Sequence, residues 1–170
     1  KKVIERQIIL DIVIIGSGPA GLSAAIYGSR SGLDVLVIEK ISHGVGQIAE
    51  ADCINNYLGF SSIRGFELGM QFRTHAEACG VRFQESEAIK LERTDACWKI
   101  YAKDGSCIQS KTVIYAAGAS HRHLNVFGEE ALIGKGVSYC ATCDGTFYTG
   151  KDVAVIGGGN TAVGDALYLS

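Results

Sequence analysis

Residues Ile8 to Ile15 form an apolar, mostly β-branched run, interrupted only by Asp11 and closed by Gly16. A short continuous apolar run of this kind predicts a strand buried on both faces, as in a parallel sheet. From Leu22 to Ser31 small and apolar residues recur at helical spacing, with Pro19 just ahead, where a helix needs no N–H donor. Gly32 ends that helix, and Asp34 to Ile38 is apolar and β-branched again. Strand, glycine turn, helix, strand is the pattern of a parallel βαβ crossover. From Ile41 to Gly59 no period emerges, which predicts an extended loop better suited to covering a ligand than to idle surface. Leu68, Phe72, Ala76 and Cys79 place a helix over Phe66–Cys79, ending at Gly80. Short strands are predicted at Val81–Phe83, Ala88–Leu91, Trp98–Ala102 and Ser106–Gln109, the last two flanking an Asp104-Gly105 hairpin turn. A further buried strand is predicted over Thr112–Ala116, stopping at Gly118.

The opening theme then returns. Val153 to Ile156 predicts a strand, Gly157-Gly158-Gly159 a turn, and Asn160 onward the start of a helix running to Ser170. The fold class is therefore α/β, Rossmann-like, with two dinucleotide-binding units, residues 1–119 and 120–170, the second incomplete at Ser170.

Composition narrows the partners. Sixteen Lys and Arg against 18 Asp and Glu give a net charge of −2, without a basic stripe, which argues against a nucleic-acid partner. The apolar runs are too short to span a membrane. Lys1 to Arg6 lack the features of a secretory signal, so a cytoplasmic location is expected. Twenty-two glycines and a single proline point to tight turns and close backbone approach. Six cysteines in a cytosolic chain of 170 residues suggest buried thiols and one working pair, not a disulfide framework.

Two motifs carry chemistry. Gly16-Ser17-Gly18-Pro19-Ala20-Gly21 has the G-x-G-x-x-G spacing, which alone is weak, since chance supplies it roughly 0.4 times in a chain this rich in glycine. Its context strengthens it: it follows a strand, opens a helix, and Glu39 ends the next strand about 20 residues on. Gly16 permits the turn, Gly18 admits a pyrophosphate, and Gly21 lets helix and strand pack closely. The helix start offers N–H groups to phosphate, and Glu39 can accept hydrogen bonds from a ribose diol. A glycine-rich turn without ligand, and a Glu39 that is only a surface acid, are the alternatives. The second motif is Cys140-Ala141-Thr142-Cys143, with Asp144 adjacent. Residues three apart share a helical face, so the sulfurs can meet. A neighbouring helix start or partner thiol lowers a thiol pKa, and Asp144 can carry a proton. Half of a zinc site is the competing reading, but His121 and His123 have poor spacing for completing it, and no metal is expected. Two inert buried cysteines are the other. Cys53, Cys79, Cys97 and Cys107 show no pairing pattern and read as ordinary thiols, while His43 and His75 read as surface or loop residues.

Gly16 to Leu22, Ala116-Ala117-Gly118-Ala119, Gly136 to Gly145 and Gly157 to Val163 together resemble low-molecular-weight thioredoxin reductases, over essentially the whole chain. The resemblance implies an FAD domain segment in residues 1–119 and an NADPH domain segment with the redox pair in 120–170. Electrons would pass from NADPH through FAD to the Cys140–Cys143 disulfide and on to thioredoxin. Cys143 would lie nearer the flavin, Cys140 would attack thioredoxin, and Asp144 would manage the proton. Glu39, Lys40, Gly46, Gln47, Asn56, Ala88, Ala117 and Gly118 would join Gly16 to Gly21 around FAD. Gly157, Gly158, Gly159, Asn160, Thr161 and Ala162 would cradle the NADPH pyrophosphate. A homodimer and a rotating nicotinamide domain are also implied. The chain departs from the family at Leu58 and Phe127, where proline is usual, at Ala117, where threonine is usual, and at Gly164-Asp165, where two acids are usual. Ending at Ser170, it is expected to cover about half of such a protein, so the residues that choose NADPH over NADH fall beyond it. Two further readings remain: a flavoenzyme of the same build served by ferredoxin or a peroxiredoxin module, and a non-catalytic fragment that binds nucleotide weakly.

Overall fold

A computed structural model describes residues 9–170 of the chain; Ile8 and the Lys1 to Arg6 segment discussed above lie outside the described residues. The chain divides into two compact units, Lys1–Ala119 and Ser120–Ser170. The described residues include no helix long and apolar enough to cross a membrane.

In the first unit β1 (Ile9–Ile15), α1 (Pro19–Arg30) and β2 (Val35–Glu39) form the predicted crossover, and α2 (Gly65–Ala78) leads into β3 (Arg82–Glu85). β4 (Ala88–Arg93), β5 (Trp98–Ala102) and β6 (Cys107–Tyr115) follow. All six strands make one sheet in the order β3-β2-β1-β6-β5-β4. β1 pairs parallel with β2 and β6, and β2 pairs parallel with β3. β4–β5 and β5–β6 are antiparallel. The result is a mixed α/β sheet of Rossmann-like topology.

Both faces of β1 are buried, which is why its sequence runs apolar without alternation. Ile12 and Ile14 pack on the side of Leu22 and Ala25 from α1 and Ala76 from α2. Val13 and Ile15 face the other way, with Ile38 and Ile100. The buried face of α1 is Gly21, Leu22, Ala25 and Gly28, the i, i+1, i+4, i+7 stripe of a helix lying on a sheet. Each fully buried Leu or Ile here, such as Leu22, Leu68 or Ile100, contributes roughly 1.5–3 kcal/mol relative to exposure.

The structure corrects three expectations. The strands predicted at Ser106–Gln109 and Thr112–Ala116 are one strand, β6, which pairs antiparallel with β5 through Gln109 and Ser110 and parallel with β1 through Tyr115. Its polar break is absorbed: Ser110 is fully buried and its hydroxyl donates to the Thr112 carbonyl at 2.7 Å. The Ile41–Gly59 loop is not featureless, holding a 3-10 turn at Gln47–Glu50 and an antiparallel bridge from Ile54 to Ile63.

The third correction lies in the second unit, which contains α3 (Ala141–Asp144) and α4 (Asn160–Leu169), with 3-10 turns at Glu130–Leu132 and Gly145–Tyr148. Val153 to Ile156, predicted as a strand, has no strand partner among the described residues. A strand exists only through its ladder, and here Val153, Val155 and Ile156 are left exposed.

Candidate functional site

The glycine turn sits between the C-terminal end of β1 and α1. Gly16 has φ +108°, and a Cβ there would lie 2.2 Å from the Ala116 carbonyl oxygen. A Cβ on Gly21 would lie 2.0 Å from the Gly16 carbonyl oxygen. These two glycines serve internal packing. Gly18 differs, since a Cβ there meets only Gly46 Cα at 3.8 Å and the Val45 oxygen at 4.0 Å. Gly18 caps α1 without any side-chain hydrogen bond, and the first turn carries no acid. Among the described residues no side chain caps the N–H groups of that turn, which can therefore donate to an anion. Gly46, at φ +77°, completes the wall, and the Ser17 hydroxyl donates to the Gly44 carbonyl, fastening the loop to the turn. Ala117 borders Gly16, and Gly118 follows at φ +72°. Pro19 and Ala20 form the first turn of α1, so Gly16 through Gly21, Gly46 and Ala117 come together at the C-terminal ends of the central strands β1 and β6.

Glu39, Lys40 and Ala88 form a neighbouring group. The Ser86 amide donates to the Glu39 carbonyl at 2.8 Å, and Lys40 Nζ pairs with Glu87 at 3.0 Å, which brings the start of β4 to the end of β2. The Glu39 side chain is buried, and Arg73 Nη1 donates to Oε1 at 2.8 Å and to Oε2 at 2.7 Å. Arg73 Nε donates to Glu77 at 2.7 Å, and its guanidinium lies 3.4 Å above the Phe83 ring. Burial disfavours the Arg73 charge, but the hydrogen bonds to Glu39 and Glu77 outweigh it and raise the pKa above its ordinary value. Sequence reasoning missed Arg73, because an arginine beside Phe72 in an amphipathic helix reads as surface; Glu77 four residues on was the available signal. Gln47 opens the 3-10 turn beside Gly46, whereas Asn56 is exposed beyond the Ile54–Ile63 bridge, with no hydrogen bond to the glycine turn among the described residues.

In the second unit Cys140 and Cys143 are joined in a disulfide, with Cα atoms 5.3 Å apart. Cys140 caps α3, so its carbonyl accepts from the Cys143 and Asp144 amides at 3.2 and 3.1 Å. Thr142 donates its hydroxyl to Cys140 Sγ at 3.5 Å. Asp144 closes the turn and accepts from the Ser138 hydroxyl on Oδ2 at 2.6 Å. Among the described residues no group of three or more His, Cys, Asp and Glu is placed to hold a metal ion.

Around Tyr139 lies a cluster that sequence reasoning did not single out. The Tyr139 ring stacks on His121 at 4.6 Å and meets His123 edge-on at 5.8 Å. Its hydroxyl donates to the buried Glu129, which also accepts from the Leu124 and Asn125 amides at 2.9 and 2.8 Å. The Glu129 bond pushes the Tyr139 pKa up to about 12. Reciprocally, the Tyr139 hydroxyl and the Leu124 amide hold the Glu129 carboxyl below its ordinary range. Glu129 beside Gly128 was the only sequence signal of this site.

The second glycine turn repeats the first. Gly157 has φ +138°, and Gly159 caps α4 with φ −86° and ψ 174°, close to the −70° and 175° of Gly18 capping α1. Neither cap has a side-chain hydrogen bond, and Gly158 and Gly159 have nothing within 4 Å of an added Cβ. Asn160, Thr161 and Ala162 form the first turn of α4.

Residues 10–170 match the family model described as pyridine nucleotide-disulphide oxidoreductase. The chain belongs to that family. It is 42% identical over 164 residues to a thioredoxin reductase of Mycoplasma genitalium, covering 96% of this chain and 52% of that protein. It is 42% identical over 162 residues to a thioredoxin reductase of Bacillus subtilis, covering 95% and 51%. Among solved structures, thioredoxin reductase from Streptococcus pyogenes superposes with a TM-score of 0.88 at 42% identity, covering 95% of this chain and 52% of that one. The chain thus spans about half the length of the curated relatives it matches.

Proposed function

We propose that this chain belongs to an FAD-dependent thioredoxin reductase, in which electrons from NADPH reach thioredoxin through the Cys140–Cys143 disulfide. The observation that carries the reading is a disulfide closed across a single helical turn with Asp144 at its end. Support also comes from the likeness to thioredoxin reductases along nearly the whole chain. The residues present fit a flavin nucleotide: Gly18 leaves a cradle that a Cβ would enter, and α1 opens there without a side-chain cap. Gly16 to Gly21, Gly46, Gln47, Ala117 and Gly118 would hold FAD, with Asn56 and Lys40 at its periphery. Glu39 retains lone pairs beyond the two that Arg73 occupies and would accept from the adenosine ribose, with Ala88 beside the adenine. Gly157 to Ala162 would hold the NADPH pyrophosphate at the start of α4.

Bound FAD supplies a two-electron carrier between nicotinamide and disulfide. Reduction of the Cys140–Cys143 bond consumes two electrons and two protons and leaves two thiols. Asp144 takes the proton from the Cys140 thiol, and the thiolate attacks the thioredoxin disulfide, forming a mixed disulfide and releasing one thioredoxin thiolate. Cys143, deprotonated in turn, attacks Cys140 Sγ; the Cys140–Cys143 bond re-forms and thioredoxin leaves with two thiols. The protein would act as a cytoplasmic homodimer.

Cys140→Ser in the full-length, FAD-loaded protein tests this assignment. Thioredoxin reduction should vanish while NADPH still bleaches the flavin. Sustained thioredoxin turnover would overturn the role given to Cys140, and a flavin indifferent to NADPH but reduced by ferredoxin would change the donor.

A further inference from the structure

The Ser138 hydroxyl has one proton and two candidate acceptors, Asp144 Oδ2 at 2.6 Å and the Cys140 carbonyl at 3.3 Å. A charged acceptor at the shorter distance takes it, because hydrogen bonds to carboxylates are shorter and about twice as strong as neutral ones. The same oxygen accepts the Cys140 amide at 3.0 Å. Ser138 therefore ties both ends of the redox turn, the backbone of Cys140 and the carboxylate of Asp144. Among the described residues Oδ1 of Asp144 has no hydrogen-bond partner, which leaves it as the oxygen open to proton transfer.

We propose that Ser138 is a positioning residue for Asp144, holding Oδ2 so that Oδ1 meets the proton of the Cys140 thiol; this rests on the disulfide-reductase reading above. The step is balanced within the turn. Oδ1 takes the thiol proton as Cys140 Sγ forms its bond to one sulfur of the partner disulfide, and the electron pair of that disulfide leaves on the other sulfur. Asp144 then passes its proton to the departing thiolate. Ser138 keeps its own proton throughout. Without the tether the carboxylate rotates among rotamers, and the fraction of encounters with Oδ1 in place falls.

Ser138 is exposed, so its replacement should leave the fold intact. The test is a mutant cycle in the full-length, FAD-loaded protein, pre-reduced with NADPH and mixed with 5,5′-dithiobis(2-nitrobenzoate) in a stopped-flow instrument. Ser138→Ala should slow release of the coloured thiolate about tenfold. Ser138→Thr, which keeps the hydroxyl, should restore most of the rate. Asp144→Asn should be slow, and adding Ser138→Ala to it should cost nothing more, since a residue acting only through Asp144 has nothing left to position. An equal tenfold loss in both backgrounds, or failure of threonine to rescue, would overturn the proposal. A wild-type protein whose reduced cysteines do not react would sink the reductase reading and the proposal with it, whereas a reactive wild type with additive variants sinks the proposal alone.

Discussion

Gly16 and Gly18 stand two residues apart and answer to different demands. A methyl group at Gly16 would collide with the Ala116 carbonyl at a backbone angle of +108°, so Gly16→Ala should lower the stability of the full-length protein by at least about 2 kcal/mol, read by thermal or urea unfolding. At Gly18 the methyl has room, and Gly18→Ala should leave the unfolding transition nearly unchanged while FAD affinity falls, read by flavin fluorescence on reconstitution. The turn at Gly16 was legible in the spacing of the motif, as was the closeness of Cys140 to Cys143, because these depend on neighbours in the chain. Arg73 was not legible. Its partner Glu39 lies 34 residues away, and nothing local distinguishes a buried guanidinium from a solvated one. Removing one member of a buried pair strands the other, so Arg73→Ala should cost the full-length protein about 3–5 kcal/mol in unfolding free energy. Replacing Arg73 and Glu39 together with apolar residues should cost much less.

At the scale of elements, periodicity located α1, α2 and the parallel strands well, since each buries a face that its sequence must mark. It failed where pairing, not burial, makes the element. β6 continues through Ser110 and Lys111 because two different strands hold it, β1 on one edge and β5 on the other. Val153 to Ile156 carries a strand's composition without a ladder. The segment from His121 to Tyr139 had no period to read, yet Glu129 organises it through two amides and the Tyr139 hydroxyl. With its folded-state pKa below the ordinary value of 4.5, Glu129 binds protons less readily folded than unfolded. Its contribution is thus complete above about pH 4.5 and is lost as pH falls through the lowered folded value. Hydrogen exchange at the Leu124 and Asn125 amides should accordingly be slow at pH 7 and lose protection on acidification, whereas Glu129→Gln should weaken protection at both pH values. Protection unchanged in Glu129→Gln would show that the carboxylate does not hold the segment.

For the whole molecule, the repeat of a glycine turn before a helix was visible in sequence, and the matching cap geometry of Gly18 and Gly159 bears it out. The second unit exposes Val153, Ile156, Val163, Leu167 and Tyr168, a large apolar surface for so small a body. Expressed by itself, the 170-residue chain should therefore unfold without a single cooperative transition and should bind a hydrophobic dye; a sharp calorimetric peak would contradict this. On the proposed route, electrons entering from NADPH arrive at Cys140 and Cys143. The most direct measurement is anaerobic treatment of the full-length, FAD-loaded protein with NADPH, followed by alkylation and peptide mass spectrometry. Both cysteines should be alkylated after NADPH and neither before. A flavin that bleaches while the Cys140–Cys143 disulfide stays intact would rule out this electron route.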